Sequence, residues 1–159
     1  MNNAKRIGLD ASKMSELSDK LNDLLANYQL HYQNLRGLHW NIKGPRFFEL
    51  HLKFEEYYLD AAEKVDLIAE RILTLGATPL HTYSDYLEHA KLNVAKNLSE
   101  DQAAVQHILE SLSILIDLER PILDMASELG DEGTADMMTA FIQQQEKESW
   151  MLNAWLGNK

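Results

Sequence analysis

Cysteine is absent from the chain. Disulfides, thiolate metal sites and cysteine nucleophiles are thereby excluded. Proline and glycine are scarce, at three and seven, and β-branched runs are missing, so little is present to punctuate a sheet protein into short strands. No run approaches the ~18 apolar residues of a membrane span, and MNNAKRIGLDASK lacks the apolar centre of a secretory signal. A cytoplasmic protein with no membrane partner is the expectation. Basic residues are also few, 15 against 25 acidic ones, for a formal charge of -10. A folded surface that grips phosphate backbones needs clustered Lys and Arg, so this balance argues against one. It suits a protein that attracts cations, although acidity serving only solubility is the commoner case.

What is present points to helices. Of 159 residues, 45% are hydrophobic, enough for the core of one domain spanning 1–159, with 1–12 expected as a flexible N-terminal tail. Leu17, Leu21, Leu24, Tyr28, Tyr32, Leu35 and Leu38 recur at steps of three and four, one apolar stripe. Gly44-Pro45 ends it. A second helix is expected from about Pro45 to Leu75, with proline in its first turn and Gly76 closing it. Residues 77–97 differ in kind, with Pro79, polar turn-formers and one short helical piece over Ser84 to Ala90. A connection of this length can cross a bundle end to end and leave its second and third helices parallel. Ser99 and Gln102 read as a capping box for a third helix, which runs to Leu129 with a kink expected at Pro121. After the GDEGTAD turn, a fourth helix carries Met138, Phe141, Ile142, Met151, Leu152 and Trp155. The fold class is therefore all-α: a ferritin-like four-helix bundle whose long crossover, carrying a short helix, joins helices 2 and 3.

Two histidines, His39 and His51, sit in the apolar stretch GLHWNIKGPRFFELHLKFEE. Taking His51 as the zero of angle, Glu55 falls near ~40°, Asp66 near ~60° and Glu70 near ~100°. Imidazole and carboxylate along one stripe suit a borderline ion such as Fe(II) or Zn(II). Yet His51 and Asp66 lie 15 residues apart, about 22 Å along the axis, whereas metal bonds are roughly 2.0–2.3 Å. One ion cannot touch both within one chain. Nor do the residues favour an intra-bundle pair of metals. Such centres use Glu-x-x-His on two helices, and none of the six histidines has Glu three residues before it. A two-fold dimer of antiparallel second helices would bring His51 opposite Asp66 and Glu70 of its mate, with His39 as second imidazole and two equivalent sites. The bland alternative stays open on residues alone. A histidine among aromatics is more often packed than ligating, and acids on a helix face are usually solvated.

HWNIKGPRFFELHLKFEE, followed by AAEKVDLIAERILTLGATPL, resembles the signature of the Dps-type mini-ferritins, the DNA-binding proteins from starved cells. The family pattern is H-W-x-[VI]-x-G-x-x-F-x-x-L-H-x-x-F-[ED], then D-x-x-A-E-R-I, and similarity continues through DEGTADMM and EKESWML. The resemblance implies a ferroxidase that binds iron at the dimer interface through His39, His51, Asp66 and Glu70, with Glu55 beside them. It implies a two-iron site able to accept Zn as a substitute, hydrogen peroxide as preferred oxidant, and a hollow homododecamer that stores Fe(III) mineral. Trp40 matches the family tryptophan beside the site and is a candidate radical trap. GDEGTAD matches the lining of a narrow three-fold pore, with Asp131 and Asp136 favoured over Glu132; as a helix N-cap, Asp131 needs no such role. DNA is where the chain departs from the family. DNA-binding members use a mobile Lys-rich tail, whereas this N-terminus offers Lys5, Arg6 and Lys13 beside Asp10. A DNA-compacting nucleoid protein that keeps the ferroxidase site is the runner-up. His31, about 80° from His39 and over two turns away, is expected to serve packing or an interface, and His81, His89 and His107 have no acidic partner at metal-site spacing.

Overall fold

The computed structural model describes residues 3–157. Six helices follow one another: α1 (Asn3–Arg6), α2 (Met14–Asn41), α3 (Phe47–Thr74), α4 (Tyr83–His89), α5 (Asp101–Glu128) and α6 (Glu132–Trp155). Four are long, and no strand occurs among the described residues. The stripe on α2 forms the centre of the core: Leu17, Leu21, Leu24, Tyr28, Leu35 and Leu38 are all buried, packed against Leu50, Phe54, Ile68, Ile72, Leu112, Leu115 and Met138. Removing any one of these large side chains would cost about 2–5 kcal/mol.

Contacts between helix ends fix the topology. Asn22 near the start of α2 holds Thr78 O (3.1 Å) and Leu80 N (2.8 Å), just past the end of α3. Farther along α2, Asn27 accepts from Lys91 N and Leu92 N, and Asn34 bonds Asn93 O and Ala95 N. The crossover is therefore laid along α2 in the direction of that helix. It ends where Ser99 O accepts from Lys43 N (3.0 Å) and Arg46 pairs with Asp101 (2.7 Å). The starts of α3 and α5 thus lie together, and the two helices run parallel. Asparagine is a poor choice inside a helix on propensity alone; here it satisfies backbone groups that the irregular crossover would otherwise leave unpaired.

Local differences from the sequence reading have physical causes. Pro45 lies in the turn ahead of α3, where Phe47 N donates to Gly44 O (3.1 Å), so α3 opens at Phe47. Its end matches: Gly76, with φ of 87°, follows the C-cap Leu75 and closes the last turn. The cap of α5 is Glu100, not Ser99; its carboxylate accepts from Gln102 N (3.1 Å) and Ala103 N (2.8 Å). α5 runs on through Pro121, which faces solvent, where water can satisfy the carbonyl it leaves free. Within the span expected as a tail, Asn3–Arg6 is helical. Ala4 is fully buried and Asn3 Nδ2 donates to Thr74 O (2.7 Å); residues 1 and 2 lie outside the described residues.

Candidate metal centre

His39 near the end of α2 and His51 in the second turn of α3 meet across the Gly44-Pro45 turn. Their rings stack at 3.8 Å with a 16° interplanar angle. The hydrogen bonds are reciprocal: His39 Nδ1 to His51 O is 2.7 Å, and His51 Nδ1 to His39 O is 2.8 Å. A carbonyl oxygen only accepts, so each Nδ1 carries the proton. In a neutral ring so oriented, Nε2 is the nitrogen left with the lone pair a metal ligand needs. Phe47 stacks on His51 at 4.9 Å and Tyr58 sets its edge against His39 at 5.3 Å, so aromatic walls hold both rings. His39 is buried and His51 half-buried. Glu55, one turn after His51, is half-buried.

The acidic end contrasts with this. Asp66 and Glu70 are exposed, and neither carboxylate has a hydrogen bond or ion pair among the described residues. They share a face of α3 with Phe48, Leu52, Leu59 and Leu73, all exposed, within about 60° of one another at ~100° per residue. Exposed leucines and phenylalanine in line with unpaired acids describe an unpartnered surface. Among the described residues of one chain, no group of three or more His, Asp or Glu side chains comes together to hold a metal ion.

The middle of the bundle does not fit a metal pair either. It holds one fully buried carboxylate, Glu119, which accepts from Tyr28 Oη (2.7 Å) and from Gln145 Nε2 (2.7 and 2.9 Å). Burial pushes the Glu119 carboxyl up to about 7. Nearby, the buried Lys64 ammonium pairs with Asp60 and donates to Gln144 Oε1 (2.9 Å). His31, also buried, is lowered to about 3, first by desolvation and then by Lys64. An ammonium, a neutral imidazole and a carboxylate already satisfied by neutral donors are a packed polar core. Sequence inspection missed this cluster; a Tyr, a Glu and a Gln at apolar positions of three helices are its only trace.

The remaining candidates fall in different settings. Trp40 is exposed, and the Arg36 guanidinium lies over its ring at 4.8 Å from the centroid, a charge that opposes removal of an electron from the indole. Asp131, expected as an N-cap or a pore acid, is buried at 1% exposure. It caps α6 by accepting from Thr134 N (3.1 Å) and pairs with Arg71. Asp136 and Glu132 are exposed. His89 on the surface bonds Asp23 (2.7 Å), which raises its pKa.

Residues 18–159 match the ferritin-like domain family. A DNA protection during starvation protein from Porphyromonas gingivalis is 41% identical over 148 residues, covering 93% of each chain. Among solved structures, the Dps protein of Vibrio cholerae O1, described as a member of a superfamily of ferritin-like diiron-carboxylate proteins, superposes with a TM-score of 0.93 at 50% identity over 94% of both chains. Dps from Listeria innocua, studied after soaking in zinc, gives 0.86 at 30% identity, over 89% of this chain and 97% of that one. With the signature histidines paired and the crossover in place, the chain belongs to the Dps-type mini-ferritins.

Proposed function

We propose that the protein oxidises Fe(II) at two equivalent sites across a two-fold interface, and stores the Fe(III) inside a closed dodecamer. Iron storage and protection come with the family. The shared site is carried by one observation: His39 and His51 are oriented by reciprocal Nδ1–carbonyl bonds at one end of α3, while Asp66 and Glu70 stand unpartnered at the other. Antiparallel packing of two exposed α3 faces supplies each end with the other and buries Phe48, Leu52, Leu59 and Leu73. The imidazoles of one chain, with Glu55, then meet Asp66 and Glu70 of the partner subunit. The carboxylates favour the more highly charged ion and so draw oxidation forward. With hydrogen peroxide as oxidant, two Fe(II) give one electron each; two protons are taken up, and two Fe(III) and two waters result. No single-electron reduction of peroxide is then needed, which is the protective element. Zn(II) would compete for the same ligands.

Mixing tests the shared site. His39→Ala and Asp66→Ala shells should each oxidise iron slowly, yet co-assembly should restore about a quarter of the wild-type sites, because half the dimers are mixed and each has one intact site of two. No recovery in mixed shells verified by mass spectrometry would overturn the reading. Twelve chains of 18.2 kDa predict an assembly of about 218 kDa by light scattering. DNA compaction is the weaker reading, since Asn3 and Ala4 tie the N-terminus to the bundle and leave only Lys5, Arg6 and Lys13 exposed near it. Any gel shift at physiological salt should be weak and lost as salt rises.

A further inference from the structure

Asp66 and Glu70 have no side-chain partner to aim them, so their positions depend on where α3 itself is held. The next residue, Arg71, lies about 100° around the helix from Glu70. Its guanidinium reaches the head of α6, donating from Nε to Thr134 Oγ1 (2.9 Å) and pairing through Nη2 with Asp131. Thr134 in turn donates from N (3.1 Å) and from Oγ1 (2.5 Å) to the same carboxylate. Asp131 is buried, and the Arg71 side chain is 19% exposed. A planar fork held by an acceptor and a carboxylate is a rigid tie of a kind that lysine cannot reproduce.

Gly133 makes the seat. A Cβ at that position would stand 2.9 Å from both terminal nitrogens of Arg71 and 3.0 Å from Cζ. Glycine is an unfavourable residue in the first turns of a helix on propensity, and here it leaves room for the guanidinium against the backbone. The other side-chain ties between α3 and α6 are farther from Glu70: Lys64 and Asp60 with Gln144, and Glu49 with Trp155.

We propose that Arg71 is a positioning residue for the acidic half of the metal site, fixing the last turns of α3 on the head of α6 through the notch at Gly133. This rests on the shared-site reading above. Displacing the guanidinium frees the end of α3, and a shift of about an ångström there moves both carboxylates off their ligand positions.

Co(II) binding to metal-free assembled shells, read by its visible absorbance, tests this without turnover. Gly133→Ala and Arg71→Lys should each weaken Co(II) about 10–100-fold, the usual effect of losing a supporting partner, with assembly intact by light scattering. Lys53→Met, on the same helix but tied only to Glu56 and Tyr57, should bind as wild type. A purely architectural clamp would lower Tm and leave affinity unchanged. Wild-type affinity in either variant, with Asp66→Asn weakened, therefore overturns the role of Arg71 and leaves the shared site standing. Wild-type affinity in Asp66→Asn overturns the shared site itself.

Discussion

The two ends of α3 are organised in opposite ways. At the start, His39 and His51 satisfy each other's carbonyls, stack, and are walled by Phe47 and Tyr58. At the end, Asp66 and Glu70 are exposed carboxylates held only by the helix that carries them. The contrast follows from solvation. A neutral imidazole loses little on burial when its N–H is bonded, so it can be positioned within one chain. A carboxylate buried without a cation would be costly, and Asp66 and Glu70 stay in water. In the proposed shared site, the histidine end is built by folding and the acidic end would be completed by assembly.

The largest effect that would sharpen this contrast is at the histidine end. His39→Ala removes a ligand and leaves the His51 carbonyl without its donor, so it should damage chemistry and fold together. Fe(II) oxidation at limiting iron should fall by more than ~100-fold, beyond the loss of an outer partner. Thermal unfolding should show a loss of about 1–3 kcal/mol. A variant that loses activity at unchanged stability would show that the reciprocal bonds contribute nothing to the fold.

Asp66→Asn should separate the two properties. Co(II) affinity and iron oxidation fall, while metal-free stability stays within about 0.5 kcal/mol of wild type, as for other exposed substitutions. A large drop in metal-free stability would mean that Asp66 has a structural partner in the assembled shell, and the two ends would then be alike.

Between the ends, Glu119 offers a smaller, pH-dependent test. Its carboxyl is raised to about 7 by burial, against an ordinary value near ~4.3 in the unfolded chain. The folded protein therefore binds the extra proton between these values. Stability from this group is complete at acid pH and declines as pH rises toward and through 7, with a slope approaching 1.4 kcal/mol per pH unit at most. Glu119→Gln keeps the shape and an acceptor for Tyr28 and should flatten that decline. Urea midpoints from pH 5 to 8 that fall equally in both proteins would assign the decline to other groups.

Much of this was legible in the residues. The α2 stripe, the second helix ending at Gly76, the short helix in the crossover and the parallel third helix all follow from periodicity and punctuation. The histidines and acids could be read as two halves because rise per residue is fixed by helix geometry, and the family motif named them. What was hidden depends on contacts between distant elements. Asn22, Asn27 and Asn34 show only as misplaced polar residues until the crossover is laid over them. Glu100 rather than Ser99 caps α5 because the longer carboxylate reaches two amides at once. Asp131 could be a cap or a pore acid by sequence, and the cap is seen only once Thr134 and Arg71 close on it.

That leaves Asp136 as the smallest and most conditional effect. It lies on the exposed side of the first turns of α6, four residues beyond Glu132 and five beyond the buried Asp131. If three α6 heads converge on an entry channel, as the family resemblance implies, three Asp136 carboxylates would face a common axis. Like charges brought together this way repel unless cations lie between them, and the same field draws Fe(II) inward. Asp136→Asn should therefore slow iron uptake severalfold in dilute buffer, with Co(II) affinity at the shared site unchanged. The difference should shrink as ionic strength approaches ~0.15 M, where screening acts within about 8 Å. Arg71→Lys should do the reverse, weakening the site at every salt concentration. If Asp136→Asn takes up iron at the wild-type rate in dilute buffer, entry does not depend on this acid, and the head of α6 serves only to hold α3.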